Sequence, residues 1–327
     1  MYITKLASAK IYARQLFSDN ENIQGDEWFN DGNTHIWITL HDGRTSPMLG
    51  VCINGTVTID WGDGTEPDVL TGTSTENIKL TPNHEYGKTG DYVITLSCDG
   101  EMGFNGSGTT YEGAFVLRHT TGADKRNIAY QNAVKKIELG DAVVALNYGA
   151  FHTCHSMEAI KIPESVMRVG GDVFRNCYSL KSVTIPSGAY IDGSTHLYHC
   201  HTLKFIELPD GMTTIGSYAF EQCYCLTSID IPESVTSINN DAFAYCSSLL
   251  SVRIPKGVTR IESNTFRNCY SVEYYDFTKH TTVPALASTD AFIGIAPNCE
   301  IRVQASLYDE WISATNWATY ADYIVAV

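Results

Sequence analysis

Six cysteines, Cys154, Cys177, Cys200, Cys223, Cys246 and Cys269, stand 23 residues apart without a slip. A spacing held over six copies means that like units stack on one another rather than close a single globular core. Three residues before each cysteine comes Phe151, Phe174, Leu197, Phe220, Phe243 or Phe266, and three after comes Met157, Leu180, Leu203, Leu226, Leu249 or Val272. Every coil therefore offers its neighbours the same apolar set. The alternating pairs Ile160/Ile162, Val183/Ile185, Ile206/Leu208, Ile229/Ile231 and Val252/Ile254 follow, a period-2 pattern that predicts a short strand with one face inward.

Pro163, Pro186, Pro209, Pro232 and Pro255 close these strands, because proline lacks the N–H that a continuing ladder needs. A second apolar pair completes the unit, as in Val235/Ile238 and Val258/Ile261. One unit cannot bury its own apolar face, so stability comes from stacking. In such a stack equivalent residues sit about one strand spacing apart, ~4.8 Å, with parallel side chains. Parallel Cβ vectors hold two cysteines wider than a disulfide prefers, so the ladder is expected to be free, buried thiols filling a crowded turn. Cys223-x-Cys225 is too short and isolated for a zinc site. Cys52, Cys98 and Cys299 lie outside the ladder.

The segments "GAFHTCHSMEAIKIPESV", "YAFEQCYCLTSIDIPESVTSI" and "DAFAYCSSLLSVRIPKGVTRI" resemble the BspA-like leucine-rich repeats of bacterial surface and secreted proteins. The resemblance covers about half the chain. It implies a right-handed solenoid of 23-residue coils with a parallel sheet on its concave side, and a role in adhesion.

Between His35 and Ser97 the pattern is antiparallel β, with "HIWITL", "TVTIDW" and "YVITLS" separated by Gly, Asp, Asn and Pro clusters. Trp61-Gly62-Asp63-Gly64-Thr65, then His84-Glu85-Tyr86 and Gly90-Asp91-Tyr92-Val93, resemble motifs of the polycystic-kidney-disease (PKD-like) domain, which implies an all-β, immunoglobulin-like sandwich over residues 33–98. Trp61 and Tyr92 suit the space between sheets. Asp60, Asp63 and Asp91 are expected to serve turns rather than calcium, which wants six or more oxygen ligands at set spacing. "AFVLRH" near residue 115 reads as one more strand, and Val134–Leu139 falls 23 residues before the Ile160 strand, a half-coil that opens the solenoid.

At the far end Phe292 follows Phe266 by 26 residues, so the last coil bulges. "CEIRV" is a strand, the apolar positions from Leu307 to Trp317 have helical spacing, and the tail is aromatic at Trp311, Trp317, Tyr320 and Tyr323. A solenoid end needs covering, so a helical, aromatic cap is expected. The chain is thus expected to be multidomain: a leading segment (1–32), a β-sandwich with its connection (33–133), a solenoid (134–300) and a cap (301–327). The leading segment is expected either to place Ile11, Leu16 and Phe17 on one face of a short helix or to be only partly ordered, and its Lys5, Lys10 and Arg14 break up any signal-peptide apolar run.

A net charge of −15 argues against nucleic acid and anionic membranes as partners, and no apolar stretch approaches the ~20 residues of a membrane span. The chain carries no G-x-S-x-G elbow, P-loop, H-E-x-x-H or dinucleotide fingerprint. No enzyme activity, catalytic residue, cofactor or metal is therefore expected.

Binding has to use outward columns, since the inward ones are committed to the core. One column reads Ala159, Ser182, Phe205, Ser228, Ser251 and Tyr274, and the other Lys161, Thr184, Glu207, Asp230, Arg253 and Asp276. From these, Phe205, Glu207, Asp230, Arg253, Tyr274 and Asp276 form the candidate surface, with the two aromatics as anchors. A second stripe follows the cysteines: His155, Tyr178, His201, Tyr224 and Tyr270, broken at Ser247. Tyr178, Tyr224 and Tyr270 either stack on sugar rings or aromatic partners, or shield the coil edge. The third coil departs most from the pattern and brings His196, His199 and His201 together, a patch expected to be surface histidine without metal chemistry. The expected function is non-enzymatic adhesion to a protein or glycan on a host or neighbouring cell, with the sandwich as spacer or second contact module. Two alternatives are a phage or prophage particle component and a glycan-binding accessory module of a hydrolase system. Location follows the family resemblance: extracellular, cell-surface or virion-associated.

Overall fold

The computed structural model describes residues 28–40, 46–75, 80–105, 115–118, 133–191 and 197–327. Ile11, Leu16, Phe17 and His196 lie outside the described residues. Two units divide at Asp31/Gly32. In the first, the Asn30 amide donates to the Trp28 carbonyl at 2.9 Å; everything below belongs to Gly32–Val327.

The strands before the coils are β1 (Thr34–Leu40), β2 (Ser46–Leu49), β3 (Val51–Asp60), β4 (Asp68–Ser74), β5 (Gly90–Phe104) and β6 (Phe115–Arg118). The order β4-β3-β5-β1 is antiparallel throughout, and β2 pairs with β6 apart from it. The segment "AFVLRH" thus contains a strand. Alternation in β1 buries Ile36, Ile38 and Leu40. Trp61 is buried; its ring N–H donates to Asp68 Oδ2 at 2.9 Å, and its carbonyl accepts the Tyr86 hydroxyl at 2.6 Å. Asp63 accepts from the Thr65 amide, the Thr65 hydroxyl and His84 Nε2. Those bonds to His84 and Thr65 hold its carboxyl at about 2 against a modest burial effect.

β5 is long enough to serve two sheets. Gly90–Leu96 pairs with β1, while Met102–Phe104 pairs parallel with β8 (Val143–Leu146). The strand turns where Gly100 faces Gly55, both at positive φ (121° and 134°), and a Cβ on Gly55 would lie 2.1 Å from the Asp99 carbonyl oxygen. Only glycine permits that approach. On the other side β1 pairs antiparallel with β7 (Val134–Glu138). Both ladders of the solenoid therefore start on strands of the N-terminal sheet, which runs unbroken across residues 133 and 134.

From there the coils stack in the 23-residue register. β7 pairs with Ala159–Lys161, placing Ile137 beside Ile160; Ser182–Thr184 pairs with Phe205–Glu207; and Ser251–Arg253 pairs with Tyr274–Asp276 and through it with Glu300–Val303. In the first ladder the segment holding Ile229 and Ile231 buries both residues without forming a strand, and the ladder is continued there at Thr227, whose N–H donates to the Lys204 carbonyl and whose carbonyl accepts the Leu250 N–H. The second ladder joins β8, Arg168–Val169 and Tyr190–Ile191, then resumes from Thr214–Ile215 to Ala285–Leu286. Each strand-ending proline starts a turn: its carbonyl accepts the N–H three residues on, Val166 to Pro163 and Val258 to Pro255 among them.

Inside, Phe220, Phe243, Phe266 and Phe292 stack with centroids 5.2–5.5 Å apart. Leu197 interrupts the column, and Phe174, Phe151 and, from β5, Phe104 continue it. The cysteines run alongside, and none of the ten is in a disulfide. Each ladder thiol after the first donates to the carbonyl 26 residues earlier, Cys177 to Phe151 at 3.1 Å and Cys246 to Phe220 at 3.2 Å. Burial pushes the thiols far up, Cys154 and Cys269 to about 12.

Two positions of the coil adopt left-handed backbone: Thr153, Asn176, His199, Gln222, Tyr245 and Asn268 just before the cysteines, and, four positions earlier among the described residues, Gly149, Asp172, Tyr218, Asp241 and Asn264. The conformation aims each N–H of the first set at the next coil, as in Asn176 to Tyr198 O at 2.8 Å and Tyr245 to Arg267 O at 2.7 Å. These bonds compensate the strain of positive φ in residues with a Cβ.

The tail holds a short α-helix, Tyr308–Ser313, flanked by 3₁₀ turns, and a last strand, Ile324–Ala326, which pairs with Glu300–Val303. Trp317 lies on Phe277 and Phe292, Trp311 on Phe277, and the Trp317 ring N–H donates to the Pro284 carbonyl at 2.7 Å. Phe292 thus has a tryptophan where earlier rungs have a phenylalanine.

Candidate binding surfaces

The outward residues of the first ladder line up in register, Ser182 beside Phe205 and Ser251 beside Tyr274. They are not equally open. Phe205 and Tyr274 are half-buried, and the Arg302 guanidinium sits 3.8 Å over the Tyr274 ring while its Nε donates to Glu300 at 2.7 Å. Cation–π contact of this kind holds the ring down. Arg253 pairs with Asp276 at 3.3 Å. Burial pushes the Asp276 carboxyl up, but bonds from the Thr278 hydroxyl and amide, together with Arg253, outweigh it and leave it below the usual value. At the other end Lys161 meets Glu138 at 2.9 Å. Charge is compensated at both ends of the ladder. Between them Thr184, Glu207 and Asp230 are exposed beside Phe205, so an apolar and acidic patch occupies the middle coils.

The post-cysteine stripe is a stack of rings. His155 and Tyr178 lie 4.3 Å apart at 18°, Tyr178 and His201 4.7 Å apart at 10°, and His201 and Tyr224 5.0 Å apart at 37°. The faces of these rings cover each other and their edges meet solvent. Burial, with His152 nearby, pushes His155 down, and burial pushes His201 down. Neutral imidazoles suit such a stack, since a charged ring would be desolvated between tyrosines.

His199 and His201 of the histidine patch do come together, with centroids 5.6 Å apart. His199 Nδ1 bonds Asn176 Oδ1 at 3.1 Å, and burial, His201 and Arg175 push His199 down to about 4. Among the described residues no group of three or more His, Cys, Asp or Glu is placed to hold a metal.

A neighbouring column, two residues before the cysteines, was not singled out by the sequence because it varies without pattern. There Arg175 lies 4.7 Å over the Tyr198 ring, Tyr198 stacks on His199 at 3.7 Å, and burial together with Asp241 lifts the Glu221 carboxyl to about 7 against Arg175. The raised carboxyl and lowered imidazole share one cause, desolvation in a crowded turn.

No helix among the described residues is long and apolar enough to cross a membrane. The family model for the BspA type leucine rich repeat region matches residues 125–223 and 173–292, in six copies. No curated protein matches the chain. Among solved structures, a leucine-rich repeat protein of T. pallidum is similar at 25% identity over 51% of this chain and 82% of that one, with a TM-score of 0.44. One from Bacteroides ovatus is similar at 24% identity over 56% of this chain and 52% of that one, with a TM-score of 0.43. A leucine rich cell surface protein from Faecalibacterium prausnitzii is similar at 23% identity over 57% of this chain and 50% of that one, with a TM-score of 0.29.

Proposed function

The chain belongs to the BspA-type leucine-rich repeat family, and on that premise we propose that it is a non-enzymatic adhesion protein of a bacterial surface whose solenoid binds a protein partner through the middle of its first ladder. The N-terminal sheet, with its PKD-like motifs, serves as spacer or second contact module, and the aromatic tail caps the far end. Repeat solenoids present extended faces because each coil adds one row of outward side chains to a fixed core.

The observation that carries this reading is the contrast between columns. The inward positions repeat Phe, Cys, Leu and Ile and are buried, whereas Phe205, Glu207 and Asp230 break the column pattern where the flanking charges are neutralised. An aromatic anchor ringed by exposed acids fits a partner surface that is apolar at its centre and basic at its rim. The test is adhesion of the purified chain to cultured epithelial cells and to immobilised extracellular proteins, with Phe205→Ala and Glu207→Lys combined. The expected result is about a tenfold loss of affinity, ~1.4 kcal/mol, with thermal stability retained. Unchanged adhesion would refute the assignment.

A further inference from the structure

The aromatic stripe stops at Ser247 and starts again at Tyr270. Up to that point the rings lie 4.3–5.0 Å apart, one per coil. With one ring missing, Tyr224 and Tyr270 belong to coils two steps apart, about 9.6 Å at the usual strand spacing. We infer that the gap between Tyr224 and Tyr270, floored by Ser247, is a binding slot for one neutral hexopyranose unit of a polysaccharide.

Each wall is braced from outside the slot. Tyr224 is backed by His201 at 5.0 Å, and its hydroxyl donates to Gln222 Oε1 at 2.7 Å. Tyr270 rests against the coil that follows: a Cβ on Gly294 would come within 2.9 Å of Tyr270 Cε1. Gly294 itself has φ 77° and occupies the left-handed position that Asn268 holds one coil earlier. A larger residue there would drive Tyr270 back toward the gap. The tyrosines remain open, at 38% and 56% exposure, where Phe205 on the first ladder is only half-open.

Width decides the ligand. A flat aromatic ring in van der Waals contact with both walls needs about 7–8 Å, two carbon–carbon contacts of ~3.5–4.0 Å. A gap of about 9.6 Å leaves slack around such a ring. The chair of a hexopyranose is puckered, so its axial hydrogens reach both walls at once, and its C–H bonds meet the negative faces of the tyrosines. The floor carries uncharged hydrogen-bonding groups, Ser247, Ser248 and Ser271, all at least partly exposed, while Glu221 and Tyr245 stand near the Tyr224 wall. Ser247 Oγ has only a long contact, 3.5 Å, to the Tyr224 carbonyl, which leaves its hydroxyl available to a sugar. Neutral hydroxyls match a neutral sugar better than a charged one.

This inference rests on the proposal that the solenoid is a binding protein, and it adds a second surface with a different ligand. Saturation-transfer NMR with cellohexaose, mannohexaose and chitohexaose as probes tests it on the full chain, in the native protein and in Ser247→Tyr, Tyr224→Ala and the Phe205→Ala/Glu207→Lys pair. Ser247→Tyr completes the stripe and fills the slot without touching the core, so its melting temperature should match that of the native chain. The expected result is that at least one saccharide binds, that Ser247→Tyr and Tyr224→Ala each weaken it about tenfold or more, and that the Phe205→Ala/Glu207→Lys pair leaves it intact. The slot is overturned if no saccharide binds, if Ser247→Tyr leaves binding unchanged, or if Ser247→Tyr blocks only a proline- or tyrosine-rich peptide. Loss of saccharide binding in the Phe205→Ala/Glu207→Lys pair would place the sugar on the first ladder instead, which overturns the slot and leaves the adhesion reading standing.

Discussion

The Cys246 thiol donates to the carbonyl oxygen of Phe220, 3.2 Å away in the preceding coil. The cysteine thus joins two roles that no other small apolar residue combines: it fills a tight turn, and it gives a second donor to a carbonyl that already accepts the Cys223 N–H at 3.1 Å within its own coil. Cys177, Cys200, Cys223 and Cys269 repeat the bond at 3.1–3.3 Å.

Replacing Cys246 by alanine should destabilise the chain by about 1–2 kcal/mol, the loss of one of the two hydrogen bonds to the Phe220 carbonyl plus a small cavity. Cys246→Ser keeps a donor and should cost less than alanine if the hydrogen bond dominates. Urea unfolding of the two variants separates the bond from the volume.

Alkaline pH should unfold the protein early. The ladder thiols titrate near 9 when exposed, and burial holds them up, to about 12 at Cys154 and Cys269. Above pH 9 the unfolded chain has released protons that the folded chain still binds, so stability falls as pH rises from 9 towards 12. Melting temperatures measured from pH 7.5 to 10.5 should decline, and the slope should flatten when Cys154 and Cys269 are both changed to valine. An unchanged slope would mean that other groups govern the loss.

Tyr218 sits at φ 61°, in the left-handed position where other coils carry Asp172, Asp241 and Asn264. Tyr218→Asn should therefore raise stability by about 1 kcal/mol, less whatever the edge contact with Tyr198 at 6.2 Å contributes. A melting temperature that falls would show that the ring contact outweighs the backbone strain.

Trp317→Ala should cost about 3–5 kcal/mol, since a buried indole and its bond to the Pro284 carbonyl are both lost. Coils bind only their neighbours, so the damage should be local. Hydrogen exchange should quicken from Phe266 onward while the amides of Phe151 and Phe174 keep their protection.

Much of this was legible because a strict register states which positions are equivalent. Phe220 and Leu226 could be assigned to the core from one coil and checked against five others, and Ile238 against three. The thiol hydrogen bond was not legible, since cysteine as a small apolar filler already explains the spacing. Nor was Phe104, which heads the phenylalanine column from a strand that carries no repeat signature. Its place depends on the bend at Gly55 and Gly100, where two strands meet that lie 45 residues apart in sequence. The left-handed positions escaped notice because Thr, Asn, His, Gln and Tyr all occupy them. Backbone geometry rather than side-chain type is the constant there. Tyr274 stands beside the buried Tyr275 on its short strand, but its cover, Arg302, comes from the irregular last coil, where the 23-residue register no longer predicts neighbours.

The phenylalanine column begins on Phe104, outside the repeats, and finishes on Trp317, again outside them. Neither terminus of the column belongs to a coil, so an interior coil can be added or removed in whole 23-residue steps without altering either join. Length is then free to vary between related chains, and with it the number of rows offered to a partner, while the two ends stay as they are. Insertions of any other size have to bulge out of the coil, as the three extra residues between Phe266 and Phe292 do, for the inward column to stay inward.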